Sequence, residues 1–190
     1  MKKRLFLCIL ICLTLVSFVG CGEENELVKD SAQKIVNAFT DKDMDAINKI
    51  IFDVEETKVD DELSDIWGES EESQEGVIAH IFELVTIKVK TTTDSLITYE
   101  IVAPNMKNVF HDVENRENIT EQDLLNYIID YANNSEKIDT EISLEYTLID
   151  NEPVINYKDE KFINAITGGL TDAYKTLYSE MMEKYEKGES

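Results

Sequence analysis

Residues 138–157 read IDTEISLEYTLIDNEPVINY, and this stretch decides the fold. From 138 to 148 every second side chain is apolar, apart from Thr140, which is typical of a β-strand with one buried face. The DNEP at 150–153 is typical of a turn, and residues 154–157 then return as a second strand. The stretch therefore predicts a β-hairpin, and with it an antiparallel sheet.

A second pair of alternating segments lies upstream of this hairpin. Apolar side chains alternate with lysines in residues 87–90 and with polar residues in 97–103. The Asp94-Ser95 pair between the two segments is typical of a turn, and Pro104 ends the second segment. We therefore expect another hairpin in the same sheet.

The N-terminal part of the chain has helical spacing instead. Residues 25–40 and 44–51 each carry their apolar side chains on one helical face. Asp41 or Asp43 is suited to cap the second helix, because a carboxylate accepts hydrogen bonds from free amides at a helix N-terminus. These residues predict two amphipathic helices before the sheet.

A highly acidic stretch, residues 55–75, follows the second helix. We expect a short helix at 63–67 and then a loop. The stretch is either a weak binding surface for cations or cationic partners, or simply a solvated segment, and the second interpretation is favoured. Gly76 opens an apolar run at 77–82, which is either a helical turn or the start of a strand.

Two further helical regions flank the hairpin at 138–157. Residues 119–134 predict one helix, with Thr120 or Asn118 near its cap. Residues 159–187 predict a C-terminal helical region that breaks at the Gly168-Gly169 pair.

The order of these elements predicts an α+β fold. N-terminal helices pack on a curved antiparallel sheet, one helix is inserted between the hairpins, and a C-terminal helix follows. The sequence has no internal repeat and no linker rich in glycine, proline or serine. We therefore expect residues 27–187 to form a single domain.

The N-terminus has the organisation of a signal peptide. Three basic residues at 2–4 precede an apolar segment at 5–19, which is shorter than the roughly 20 residues that a transmembrane helix needs. The FVGC at 18–21 resembles the lipobox of bacterial lipoproteins, where a small residue precedes the cysteine that is acylated. The sequence thus predicts cleavage between Gly20 and Cys21 and lipidation of Cys21. An uncleaved anchor and cleavage elsewhere are the alternatives.

Such processing changes what the composition means. Loss of residues 1–20 removes three basic residues and no acidic one, so the formal charge falls from −22 to −25. Cys8 and Cys12 leave with the signal, and the mature chain then has no free thiol and no disulfide. The tether that follows, up to Glu26, spans at most roughly 17 Å. Two acyl chains would hold the domain stably at the extracytoplasmic face of the cell membrane.

Composition also limits the classes of partner that the protein can bind and indicates the kind of organism it comes from. A chain this acidic is unsuited to nucleic acid, because binding to phosphates needs a basic surface. Hydrophobic residues make up 43% of the chain, enough to build a core. The chain holds 21 Ile, 13 Asn and only 8 Ala, which indicates an AT-rich genome and a Gram-positive bacterium.

The candidate metal and catalytic motifs lack residues or spacings that their chemistry requires. Asp41, Asp43 and Asp45 imitate the start of a calcium-binding EF-hand loop. Ala46 and Phe52 stand where that loop needs a glycine and a bidentate glutamate. The two histidines are 31 residues apart, and no nucleophile elbow, P-loop, dinucleotide-binding motif or HExxH motif is present. The sequence predicts no catalytic residue, no cofactor and no metal site.

Three aromatic residues remain as possible pocket or partner contacts. Trp67 lies in the acidic stretch, where it either caps a pocket, meets a partner or folds onto the core. Tyr99 and Tyr146 lie on predicted strands and are expected to point inward. Their acidic neighbours Glu100 and Glu145 then face the other side of the sheet, because adjacent strand residues face opposite sides. Regular pleating therefore does not place an acid and a tyrosine in one pocket.

Several segments resemble a known family. They are Cys21 at the lipobox, AQKIVNAF at 32–39, DMDAI at 43–47, ITYEIVAPNM at 97–106 and FINAITGGL at 162–170. Together they resemble a Gram-positive lipoprotein family of unknown function whose cone-shaped domain is similar to nuclear transport factor two. The resemblance spans residues 25–185 and implies a cone with a pocket between sheet and helices. It carries over no catalytic residue.

These features predict a membrane-anchored lipoprotein that acts as a non-catalytic module for a ligand or a partner. One alternative is a cone-pocket enzyme of the isomerase or dehydratase type. Another is a structural or immunity-type partner of an envelope protein. An exposed apolar patch would favour the partner over a small-molecule binder. Convergent ionisable groups in a pocket, with turnover of a substrate, would favour the enzyme.

Overall fold

The structure, a computed structural model, describes residues 20–52, 71–111 and 120–187. In chain order the elements in these ranges are α1 (Gly20–Asp41), α2 (Met44–Phe52), α3 (Glu71–Glu83), β1 (Thr86–Thr92), β2 (Leu96–Pro104), α4 (Glu121–Asn134), β3 (Lys137–Ile149), β4 (Glu152–Ile155), α5 (Glu160–Ile166) and α6 (Leu170–Lys187). The predicted α+β class, with N-terminal helices, an antiparallel sheet and a C-terminal helix, is confirmed.

The four strands form one antiparallel sheet in the order β1-β2-β3-β4. The long strand β3 is shared: residues 137–145 pair with β2, and residues 146–149 pair with β4. The register of β1 shifts between Val89 and Thr91, which inserts a β-bulge and bends the strand. The sheet is curved, and both of its edge strands contact α1.

A two-residue turn joins β3 to β4. Asp150 and Asn151 have φ angles of 52° and 66°, which suits the type I′ turn of tight hairpins. The turn is therefore shorter than the four residues that the sequence suggests, and Pro153 belongs to β4. Proline is tolerated there because β4 is an edge strand, where a missing amide hydrogen costs little.

The sheet buries the face that the alternation predicts. Ile97, Tyr99 and Ile101 on β2 are fully buried, whereas Thr98 and Glu100 between them are partly exposed. The buried face is covered by α5, which packs against β2 and β3, and by α1, which packs against β1 and β4. The core lies between this face and these two helices and extends to buried side chains of α2, α3 and α4, such as Ile51, Ile81 and Ile128.

For two helices the sequence allows either of two residues as the N-cap, and hydrogen bonds in the structure identify which one it is. Asp43, not Asp41, caps α2, because its Oδ1 accepts the amide hydrogen of Ala46 at 3.0 Å. Thr120 caps α4, since its Oγ1 accepts the amide hydrogen of Asp123 at 3.2 Å. Both caps satisfy amides that the first turn of a helix leaves without partners.

The segment around Gly76 is a helix. α3 begins at Glu71, so the prediction that the acidic loop continues to residue 75 is wrong at its C-terminal end. Acidic residues suit the first turn of a helix, where the helix dipole favours negative charge. Residues 53–70, including the predicted short helix at 63–67, lie outside the described residues.

The predicted break at Gly168-Gly169 is confirmed. Gly168 has a φ of 64°, and a Cβ at this position would lie 1.8 Å from the carbonyl oxygen of Pro104. Only glycine allows this approach. The carbonyl of Gly168 accepts the amide hydrogen of Met106 at 2.9 Å. This hydrogen bond therefore ties the turn between α5 and α6 to the segment that follows β2.

Candidate functional site

Tyr99, one of the predicted pocket residues, lies in the core. Its side chain is fully buried, and its ring contacts the rings of Tyr157 and Phe162 at centroid distances of 6.2 and 5.9 Å. The rings of Tyr157 and Phe162 are themselves 5.5 Å apart. These three residues, which we call the aromatic cluster, fill the space between the sheet, α1 and α5.

The two tyrosine hydroxyls of the aromatic cluster bind each other. The oxygens of Tyr99 and Tyr157 are 2.8 Å apart, and the Tyr99 hydroxyl also lies 3.5 Å from the carbonyl oxygen of Ala32 in α1. Burial raises the pKa of Tyr157 to about 12, and burial together with the neighbouring Tyr157 raises the pKa of Tyr99. Both hydroxyls stay neutral at physiological pH and act as structural hydrogen-bonding groups.

Tyr146 serves a different part of the molecule. Its hydroxyl donates to the carbonyl of Thr93 at 3.0 Å, and its amide donates to the carbonyl of Ser95 at 3.2 Å. These bonds tie β3 to the turn between β1 and β2. Tyr99 pairs with Ile142, four residues before Tyr146, so about 13 Å of strand separates the two tyrosines. The structure does not bring them together in one pocket.

The predicted lipidation site lies at the start of α1. The helix begins at Gly20 and therefore includes Cys21 and the positions of the predicted tether. Among the side chains of α1 that the structure describes, from residue 26 on, the first that is fully buried is Val28, seven residues beyond Cys21. A helix rises about 1.5 Å per residue, so the core begins about 10 Å from Cys21 along this helix. Trp67 lies outside the described residues.

A groove that the sequence analysis missed lies between α6 and the segment after β2. Its volume is about 660 Å³. It is lined by Lys107, Asn108, Phe110, His111, Gly169, Asp172, Ala173, Thr176, Leu177 and Glu180. The two walls are about 60 residues apart in sequence, and neither carries a recognisable motif. Only the folding of α6 against this segment creates the groove.

Buried contacts hold the walls of the groove in place. Met106 and Val109 are fully buried beneath one wall, and the ring of Phe110 meets that of Tyr174 at 6.4 Å. At the base, Gly169 has a φ of 91° and leaves room for the side chain of Lys107. The groove is therefore formed by well-packed segments on both sides.

The chemistry of the groove is mixed. Lys107 and His111 lie on one wall, and Asp172 and Glu180 lie on the other. The carboxylate of Asp172 already accepts a hydrogen bond of 2.7 Å from the amide of Asn164, which positions it at the start of α6. A polar molecule that carries both donors and acceptors would match such a surface.

The remaining polar candidates have structural partners. His80 lies 3.1 Å from the amide oxygen of Asn133 and joins α3 to α4, as expected of a partly buried structural histidine. On the outer face of the sheet, Lys90 pairs with Glu141, which raises the pKa of Lys90. In residues 20–52, 71–111 and 120–187 no group of three or more His, Cys, Asp or Glu side chains is placed to hold a metal ion.

No helix in the described part of the chain is both long enough and apolar enough to span a bilayer. Comparison with protein-family models, with curated proteins and with solved structures finds no match to this chain. The family resemblance of the individual segments therefore stays a prediction.

Proposed function

We propose that this protein is a lipid-anchored, extracytoplasmic binding module that performs no catalytic step. The signal-like segment before Cys21 and the lipobox-like FVGC at 18–21 support the anchor. The start of α1 at Gly20 supports a position close to the bilayer, because only about 10 Å of helix separates Cys21 from the core. The predicted charge of −25 on the mature chain makes lipid, rather than surface charge, the basis of membrane contact.

The single observation that carries this proposal is that aromatic side chains fill the space between the sheet and the helices that cover it. Isomerases of the cone-shaped superfamily that the sequence resembles hold their substrate in an apolar interior beside an acid and a tyrosine. In this protein Tyr99, Tyr157 and Phe162 fill the space between the sheet, α1 and α5, and the two hydroxyls bind each other. We therefore place the ligand on the outside of the domain.

The groove beside α6 is the concavity that we assign to a ligand. Its volume of about 660 Å³ lies within the roughly 300–1,000 Å³ typical of small-molecule sites. Lys107 on one wall and Glu180 on the other supply groups of opposite charge. We expect a small polar ligand, or a polar segment of a partner, to bind there.

A second candidate function has its own support. Exposed apolar side chains such as Ile149, Met181 and Tyr185 favour a protein that contacts a large surface rather than only a small molecule. A structural partner of an envelope protein would use such residues. The groove and the exposed residues of α6 are adjacent, since Glu180 lines the groove and Met181 follows it in the chain, so one partner can contact both.

The anchor is tested by replacing Cys21 with alanine. Wild-type protein should carry the mass of a diacylglyceryl group on Cys21 and sediment with membranes, and the Cys21→Ala variant should lose both properties. Cys8→Ala and Cys12→Ala are matched controls, since both residues leave with the signal and these variants should be acylated normally. Equal mass and equal fractionation of wild type and Cys21→Ala would reject the anchor. Turnover of any compound in a substrate panel would reject the non-catalytic role.

A further inference from the structure

The exposed large apolar side chains of the described residues fall into three segments. One is the start of α1, one is the hairpin of β3 and β4, and one is the end of α6. The residues are Leu27; Leu148, Ile149 and Val154; and Tyr178, Met181, Met182 and Tyr185. Their exposed fractions range from 39% to 83%, so none of them belongs to the core.

The first segment marks one end of the molecule. Near the end of α1, the ring of Phe39 packs on that of Phe82, 5.3 Å away, just before β1 begins. Further back, Ala32 lies beside Tyr99 in the middle of the sheet. α1 therefore runs against the direction of β1, and its start, with Leu27, points to the end of the sheet where β1 finishes.

The hairpin of β3 and β4 lies at that same end. β2 pairs with β3 only as far as residue 145, and β3 continues for four residues beyond it. There the alternation of polar and apolar faces stops. Leu148 lies opposite Pro153 on one face, and Ile149 lies diagonal to Val154 on the other. The end of the hairpin is thus apolar on both faces.

α6 runs toward the same end. α5 passes from Phe162, beside Tyr99, to Gly168, which is bonded to the segment after β2. α6 then returns alongside α5, because Asn164 bonds Asp172 and Glu160 pairs with Lys175 at 3.4 Å. The last 12 residues of α6 continue about 18 Å past this pair and carry the exposed methionines and tyrosines.

We propose that this end of the domain, which we call the apolar end, rests on the surface of the lipid bilayer. The inference depends on the proposed anchor, because the acyl chains on Cys21 would extend into the bilayer from this end of the molecule. Cys21 precedes Leu27 by six residues in one continuous helix, or about 9 Å. Lys107 and Asn108 on one wall of the groove follow the opposite end of β2, whereas Leu177 and Glu180 on its other wall belong to the part of α6 that runs toward the apolar end.

The side chains of the apolar end suit the boundary between headgroups and acyl chains. Aliphatic residues and tyrosines are favourable there, since a tyrosine buries its ring and leaves its hydroxyl in the headgroup layer. In the last turn of α6, Lys187 pairs with Glu183 at 3.3 Å, and side chains of this length can keep their charged ends in water beside a membrane. Asp150 and Glu152 at the turn of the hairpin are acidic, so we expect contact with zwitterionic rather than anionic lipid.

Spin labels on the full, acylated chain in phosphatidylcholine vesicles test this orientation. Labels are attached in Ile149→Cys and Tyr185→Cys, with Asn108→Cys on the groove wall as the matched control. After signal removal and acylation, each new cysteine is the single free thiol. We expect the labels at 149 and 185 to be several-fold less accessible to a water-soluble paramagnetic reagent than the label at 108. Addition of phosphatidylglycerol should reduce that difference.

The outcomes separate this inference from the anchor on which it rests. Equal accessibility at all three positions in a chain that mass spectrometry shows to be acylated would overturn the orientation and leave the anchor intact. A mass without the acyl group would overturn both. Protection at 149 that appears without vesicles and rises with protein concentration would show that a second copy covers the apolar end, which also overturns the proposal.

Discussion

Tyrosines occupy two opposite environments in this molecule. In the aromatic cluster, Tyr99 is fully buried and its hydroxyl is bonded to that of Tyr157. At the apolar end, Tyr178 and Tyr185 on α6 are 55% and 83% exposed. The same amphipathic side chain stabilises the core in one region and offers a contact surface in the other. The difference follows from position in the fold, so substitutions in the two regions should have opposite consequences.

The largest effect is expected inside the aromatic cluster. Phe162→Ala removes a fully buried ring that packs on both tyrosines, and the cavity it leaves should lower the free energy of unfolding by about 3–5 kcal/mol. Urea denaturation of the full chain in detergent solution measures this loss. Tyr178→Ala on exposed α6 is the matched control and should change the value by no more than about 0.5 kcal/mol. Equal effects at the two positions would contradict the comparison.

A smaller effect, with a distinctive pH dependence, is expected at Tyr157. Tyr157→Phe leaves the buried Tyr99 hydroxyl without its closest partner and should cost about 1–2 kcal/mol at pH 8. The folded protein holds the pKa of Tyr157 at about 12, against about 10 in the unfolded chain. The raised pKa contributes stability that is fully present below pH 10 and is lost as the pH rises toward 12.

The sign of that dependence can be measured directly. Between pH 8 and pH 11 the Tyr157→Phe variant should lose about 1.4 kcal/mol less stability than wild type, because it lacks one group that ionises more easily when unfolded. Urea denaturation at the two pH values gives the difference. Tyr185→Phe on the exposed end of α6 is the control and should follow wild type. If Tyr157→Phe instead lost more stability than wild type between pH 8 and pH 11, the buried hydrogen bond between Tyr99 and Tyr157 would be refuted.

The smallest effect is expected at the apolar end. Ile149→Ser combined with Tyr185→Ser replaces two exposed side chains, and the free energy of unfolding should fall by less than about 1 kcal/mol. Thermal and urea unfolding of the full chain both report it. A loss as large as that of Phe162→Ala would show that these residues are part of the core, and the apolar end would then have no surface to offer a membrane.

The helices and strands were largely predictable from local pattern. Period-two alternation in β2 and β3 and the Gly168-Gly169 break follow from side-chain direction and backbone freedom, which are local properties. The beginning of α3 at Glu71 was missed, because a dense run of acidic residues masks the apolar face by which a helix is recognised. The sequence could not decide whether Asp41 or Asp43 caps α2, because both carry a carboxylate that can accept the free amide hydrogens.

The candidate site was much less predictable. Alternation placed Tyr99 on the inward face, but whether that face encloses a pocket depends on Tyr157 and Phe162, about 60 residues away. The groove is likewise formed by Lys107 and Glu180 from distant segments. Sequence spacing carries no information about such contacts, because the turns and helix crossings between the segments set the distances.

By itself, the sequence determined the class of the fold, the faces of the strands and the residues suited to a signal and a lipid anchor. These depend on neighbouring residues: alternation, capping chemistry and a charged-then-apolar N-terminus. Only the tertiary structure decided that aromatic rings fill the space between the sheet, α1 and α5, and that Leu27, Ile149 and Tyr185 remain exposed. Those outcomes depend on the direction in which α1, β3 and α6 cross the core, and that direction is set by long-range packing.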